Sequence, residues 1–122
     1  MSYIRIYADQ SGESHFQDVD VEMTLADFAP PAPPIDLSHF WPSTIVGFLH
    51  FPAGWYGKPH PTPKPQFLVG MSGDAVVTTS DGDMRNFTAG TVLLVEDTWG
   101  KGHTTCISEH TELQAMAIQL PD

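Results

Sequence analysis

Apolar and polar residues alternate along much of this chain. Val19, Val21, Met23 and Leu25 are interleaved with Asp18, Asp20, Glu22 and Thr24, the period of two that predicts a half-buried strand over 18–25. Tyr3 to Tyr7 predicts a short strand before it, and Ser11-Gly12-Glu13-Ser14 a turn between the two. Ser43 to Phe51 is rich in β-branched and aromatic residues. Further strand patterns follow at 66–71, 74–79, 84–87, 91–95, 103–108 and 113–120, with Asp81-Gly82-Asp83 as a hairpin turn. Residues 29–34 read Ala-Pro-Pro-Ala-Pro-Pro, where missing amide donors exclude helix, so a long surface loop is expected from 29 to about Pro42. About nine short strands and no amphipathic helix predict an all-β sandwich or barrel.

Composition narrows the picture. A length of 122 residues predicts one domain, with the first strand and proline-rich loop in 1–42 and the barrel core in 43–120. Hydrophobic residues at 41% are enough for a core and argue against disorder. Fifteen acidic against five basic side chains give a formal charge of −10, which repels phosphate and anionic lipid surfaces. No nucleic-acid or membrane partner is therefore expected. The first nine residues hold no continuous apolar run of the signal-peptide kind, and the lone Cys106 has no internal disulfide partner. A cytoplasmic protein is the expectation.

The candidate chemistry lies in two stretches. Residues 58–66 read Lys-Pro-His-Pro-Thr-Pro-Lys-Pro-Gln. Each of Lys58, His60, Thr62 and Lys64 precedes a proline and is pushed out of the α region, so the run is stiff before any tertiary contact forms. Such stiffness suits a site, and it equally suits an edge strand or a rigid loop. Held straight, the run would place His60 and Gln66 roughly 20 Å apart. They meet only if the chain turns between Pro61 and Pro65. The second stretch, Glu96-Asp97-Thr98-Trp99-Gly100-Lys101-Gly102-His103, has two glycines that let the backbone approach a ligand or another strand, with His103 opening the next strand. A plain hairpin loop with one exposed histidine would look the same.

Together the two stretches resemble the paired motifs of the cupin superfamily. Gly54, His60, Thr62, Gln66 and Gly73 match the spacing of the first motif, with Thr62 at its second histidine and Gln66 at its glutamate. Gly90 and Thr98-Trp99-Gly100-Lys101-Gly102-His103 match the second, with Thr98 at its proline and Ile107 at its closing asparagine. The resemblance implies a cupin-type antiparallel β-barrel, a jelly-roll or double-stranded β-helix. It implies a site inside the barrel holding one divalent transition metal (Fe, Mn, Ni or Zn) through His60, Gln66 and His103. It also implies a homodimer, with Tyr3–Tyr7 the strand expected to meet a neighbour.

Two functions draw on those residues, beside a purely structural or interaction role for which nothing in the sequence speaks positively. One is an enzyme acting on a small molecule, with His60 and His103 in acid–base roles and Gln66 orienting the substrate. The other is a non-catalytic module that binds a small ligand at the same place. In either, Trp55, Tyr56 and Trp99 are expected to wall the mouth, with Thr62 and Lys101 contacting the ligand. Lys101 could instead be solvated or paired with Asp97, and Asp97 could brace the loop or a histidine. His15, His39, His50 and His110 lack motif partners and are expected to be structural or exposed. Cys106, three residues after His103, is expected on the opposite strand face as a buried thiol.

Overall fold

In the computed structural model, which describes residues 1–122, the chain forms twelve strands and no helix. They are β1 (Ser2–Ala8), β2 (Ser14–Asp20), β3 (Thr24–Ala26), β4 (Ile35–Leu37), β5 (Val46–Phe51), β6 (Tyr56–His60), β7 (Gln66–Ser72), β8 (Asp74–Thr79), β9 (Met84–Thr88), β10 (Val92–Val95), β11 (His103–Ile107) and β12 (Leu113–Gln119). There is accordingly no helix long and apolar enough to cross a membrane.

Ten of these strands make two sheets. The larger runs β2-β1-β10-β7-β12-β5 and the smaller β6-β11-β8-β9, while β3 and β4 form a separate two-stranded arm. The two large sheets do not share a hydrogen-bonded strand, so the architecture is an all-β one of separate sheets packed on a common core, not a single closed barrel. Most neighbours are antiparallel. The exception is β1 against β10, which run parallel with Ile6 opposite Val95.

The core fills the space between the sheets. Ile6, Leu93, Val95, Leu113 and Ala115 come from the larger sheet and meet Ala75, Val77, Phe87 and Ile107 from the smaller one. Each large aliphatic removed from water in this way contributes roughly 1.5–3 kcal/mol. At one end the sheets close tightly. A side chain at Gly70 would run into the carbonyl of Thr88, and Gly73, at φ 100°, turns β7 directly into β8.

Several sequence expectations shift here. The strand expected over 18–25 instead occupies Ser14–Asp20, beginning inside the stretch expected as a turn, and β3 is a separate short strand. Pairing explains it: all seven β1 residues find partners from Ser14 to Asp20, so β2 ends opposite Ser2, where β1 begins. Val19 remains half-buried, whereas Met23 and Leu25 are exposed. The proline-rich loop contains a strand of its own, β4, after the prolines. The first two strands, β1 and β2, belong to the larger sheet, and Ile6 of β1 is fully buried. Because β1 is flanked by β2 and β10, Tyr3–Tyr7 has no free edge for a neighbouring molecule.

Candidate functional site

β6 and β11 are neighbours, and their register sets His60 directly opposite His103. Between that pair and the next, Thr105 opposite Gly57, β6 spends three residue steps where β11 spends two. The bulge falls at Lys58-Pro59, where proline has no amide to give to the ladder. Its effect is to bring both Gly57 and His60 to the side that His103 and Thr105 occupy. The imidazole ring centroids of His60 and His103 lie 5.3 Å apart. This approach depends on Gly102, which has φ +74° and packs so closely on the His60–Pro61 backbone that any Cβ would overlap it.

Both rings are anchored through the same nitrogen. His103 donates Nδ1–H to Oδ2 of Asp97 at 2.6 Å, and both side chains are almost wholly withdrawn from water. His60 donates Nδ1–H to the carbonyl of Lys58 at 2.7 Å. Each donation leaves Nε2 as the free basic nitrogen. Asp97 keeps a second buried oxygen, Oδ1, that has no hydrogen-bond partner.

The turn required between Pro61 and Pro65 is present, and it carries the chain from the smaller sheet into the larger one. Thr62 N–H donates to the carbonyl of Asp97 at 3.1 Å. The Thr62 hydroxyl donates to the carbonyl of Lys64 at 2.7 Å and accepts an amide hydrogen of Gln66 at 3.2 Å. Gln66, Thr62, Asp97 and His103 are therefore joined in one run of hydrogen bonds. Behind His103, the buried Ser14 hydroxyl donates to the carbonyl of Gly102 at 2.6 Å, fixing the loop that delivers the histidine.

His103 and Thr105 are the polar residues in the wall of an otherwise apolar cavity between the sheets, lined also by Leu49, Phe51, Leu68 and Val95 among others. The enclosed space is about 40 Å³. On the β5 side the wall thins. Gly47 alternates with Leu49 and Phe51, so it faces inward, and nothing lies within 4 Å of where its side chain would be. The same register places Ala117 beside it and sets Gln119 opposite Gln66, a second amide on the inner face.

The remaining sequence-predicted residues divide. Trp55 lies over Gly57, on the side that also faces His60, and against Phe51, with ring centroids 5.0 Å apart. Thr62 is buried, and its hydroxyl is engaged within the chain on both sides. Tyr56 pairs with Cys106 on the outward face, away from the histidines. Trp99 rests against the β1–β2 turn at Gly12. Lys101 pairs with Glu13 at 2.6 Å rather than with Asp97, which is committed to His103. Cys106 does point away from His103, but the outer face of the smaller sheet is solvent, so the thiol is exposed and not buried. Of the other histidines, His15 is gripped by Asp9 and Asp81, and His50 pairs with Glu112. Sequence reasoning passed over Ser14 and Gln119. Only Gln119 left a signal, in the spacing Ala115, Ala117, Gln119.

The donor set is short for a resident transition metal. Two anchored imidazoles present free Nε2 atoms, but Gln66 adds a neutral amide already tied to Thr62 and no carboxylate stands at a ligand position. A tight site commonly draws on three or four donors with compensating charge. Asp97 cannot supply that charge directly, because it lies behind His103. No family model matches this chain, and no curated protein sequence does either.

Proposed function

We propose that this is a cupin-type jelly-roll acting on a small carbonyl compound by two-histidine acid–base chemistry. The observation that carries the reading is the buried Asp97–His103 pair, with His60 directly opposite His103 on the neighbouring strand. Asp97 holds His103 in the tautomer whose Nε2 is basic, the role a buried carboxylate commonly plays behind a catalytic imidazole. A substrate carbon beside a carbonyl group would give its proton to one free Nε2, and the proton returned would come from that same nitrogen or from the other imidazole after it has taken one from water. The bond broken is that C–H, and its electron pair would move into an enolate whose oxygen would accept the amide hydrogen of Gln66 not given to Thr62. Reprotonation at the same or a neighbouring carbon gives epimerisation or isomerisation with no net redox change. A space of about 40 Å³ beyond His103 admits only a small apolar group, since roughly 150 Å³ is needed to take a benzene ring. The reacting carbon therefore belongs at the mouth, over Trp55.

The test is exchange of C–H for C–D in heavy water, followed by proton NMR over a panel of small oxo acids, ketoses and hydroxyketones. At least one compound should exchange well above the buffer rate, with a loss of about 10²–10⁴-fold in His103→Gln. Exchange no faster than buffer throughout the panel would overturn the catalytic reading. The small enclosed cavity favours a second reading, a non-catalytic ligand-binding module. Saturable ligand contact without any exchange is the result that would support it.

A further inference from the structure

We infer that a cleft on the outer face of the larger sheet, walled by Tyr3 and Trp41 and flanked by Asp20 and Glu22, binds a small alkylated ammonium ion. It lies on the side of that sheet turned away from the core, so it is separate from the histidine pair and stands whether or not that pair is catalytic. Tyr3 alternates with the inward Ile4 and Ile6, which sends its ring outward, and Val19 of β2 stands directly opposite it. Here the chain returning from the arm crosses the sheet, and His39 and Trp41 complete a cleft of about 280 Å³. That is close to the lower bound of roughly 300 Å³ for small-molecule sites, and well above the roughly 150 Å³ that accepts a benzene ring.

The aromatic wall is fixed before any ligand arrives. Trp41 packs against Tyr3 at 6.1 Å and against Phe67 at 5.2 Å between centroids, and Tyr3 meets Phe67 at 5.7 Å. Each pair is close to perpendicular, at 82–83°, and Phe67 buttresses the other two from outside the cleft. Trp41 precedes Pro42, which keeps its backbone extended, and the His39 ring lies on it at 3.8 Å between centroids. A ligand entering this cleft meets rings that lose little freedom on contact.

Elsewhere the chain shows what such surroundings hold. Arg85 lies 5.2 Å over the Phe16 ring while it pairs with Asp18 at 2.7 Å, and Arg5 lies 4.6 Å over Tyr7 while it pairs with Glu96. In both, one cation bridges a ring and a carboxylate. At the cleft the same combination recurs without a cation of the chain's own. No Lys or Arg lines it, and neither Asp20 nor Glu22 forms an ion pair. A cation within about 6 Å of a Trp or Tyr centroid is attracted by the ring quadrupole, and the formal charge of −10 draws it in from further away. Alkylation on nitrogen is what the rest of the wall favours. A divalent metal needs several converging oxygens, and no group of three or more His, Cys, Asp or Glu side chains is placed to hold one. A bare ammonium is strongly hydrated and would lose that shell against Val19 and Val21, whereas N-methyl groups meet those side chains as apolar surface.

Isothermal titration calorimetry of the full chain tests this at low salt and pH 8, where imidazoles are neutral. The probes are choline and 3,3-dimethylbutan-1-ol, its uncharged isostere. Choline should bind saturably at one site per chain, and the isostere roughly tenfold more weakly. Trp41→Leu should weaken choline by about the same factor. Asp20→Asn combined with Glu22→Gln changes two exposed side chains that make no ion pair, and should weaken choline about fivefold with unchanged far-ultraviolet circular dichroism. That double variant carries the test if Trp41→Leu does not fold. His103→Gln should leave choline affinity as it is. Absence of saturable choline binding overturns the inference, and so does equal affinity for the two probes, which an apolar hollow blind to charge would give. Binding undiminished in a folded Trp41 or carboxylate variant, or lost in His103→Gln, places the ion elsewhere and overturns the assignment to this cleft.

Discussion

Asp97 decides how the histidines behave. It is fully buried, gives one oxygen to His103 and leaves the other without a partner. Removing it leaves His103 Nδ1–H unmatched in a site almost closed to water, a loss of about 1–3 kcal/mol in buried hydrogen bonding. Asp97→Ala should lower the free energy of unfolding by that amount in urea. Nitrogen NMR of the His103 ring should show the proton on Nδ1 in the wild type and largely on Nε2 in the variant. A ring that keeps its Nδ1 proton without Asp97 would mean that something other than the carboxylate sets the tautomer. The sequence pointed to both histidines through their motif spacing and raised Asp97 as a brace. It could not reveal that Lys101 reaches Glu13, eighty-eight residues away, because that contact exists only once the 99–102 loop lies on the β1–β2 turn. There Lys101 N–H donates to the Gly12 carbonyl at 2.8 Å.

At the scale of elements, His15 joins two turns that are remote in sequence. From β2 it donates to Asp9 at 2.7 Å and to Asp81 at 2.9 Å, tying the β1–β2 turn to the β8–β9 turn. The Asp9 hydrogen bond, followed by that of Asp81, holds the imidazole above its ordinary value. Asp9 is held well below the carboxylate range, chiefly by His15, and Asp81 is lowered, chiefly by the Thr79 hydroxyl. The carboxylates contribute stability that is present above about pH 4 and lost on acidification through their lowered values. His15 contributes stability that is complete below about pH 6.5 and lost as the pH rises through its raised value. The melting temperature of the wild type should fall between pH 6 and pH 9 by a margin that His15→Gln lacks. Equal slopes in the two proteins would show that the clamp does not couple the turns. Strands with an alternating pattern were readable one by one, as β7, β8 and β12 illustrate. β6 was not, because alternate prolines conceal strand character behind a loop-like composition. The boundaries of β2 were set by β1, which local pattern does not contain.

For the molecule as a whole, charge is unevenly spent. Of five cationic side chains, Arg5, Lys64, Arg85 and Lys101 are each within 2.8 Å of a carboxylate, which leaves Lys58 alone to offset the acidic surplus. The folded chain concentrates that surplus, and self-repulsion opposes compaction. Shortening the screening length from roughly 30 Å at 0.01 M salt to about 8 Å at 0.15 M should therefore raise the melting temperature. A fall would mean that the four ion pairs outweigh the repulsion. The all-β class followed from the run of short strands. Its division into two sheets and an arm did not, since which strands become neighbours depends on pairings such as β1 with β10 that join distant parts of the chain.

Gly47 has a consequence for how such a protein could change over time. Most inward positions are locked by neighbours, so altering them alters the fold. Gly47 is free of that constraint: its side-chain direction is empty and it lies at the thin wall beside Ala117. A larger residue there would fill open space while leaving the two histidines and their anchors where they are. Single substitutions at this position would thus be tolerated, largely uncoupled from stability and from the histidine pair.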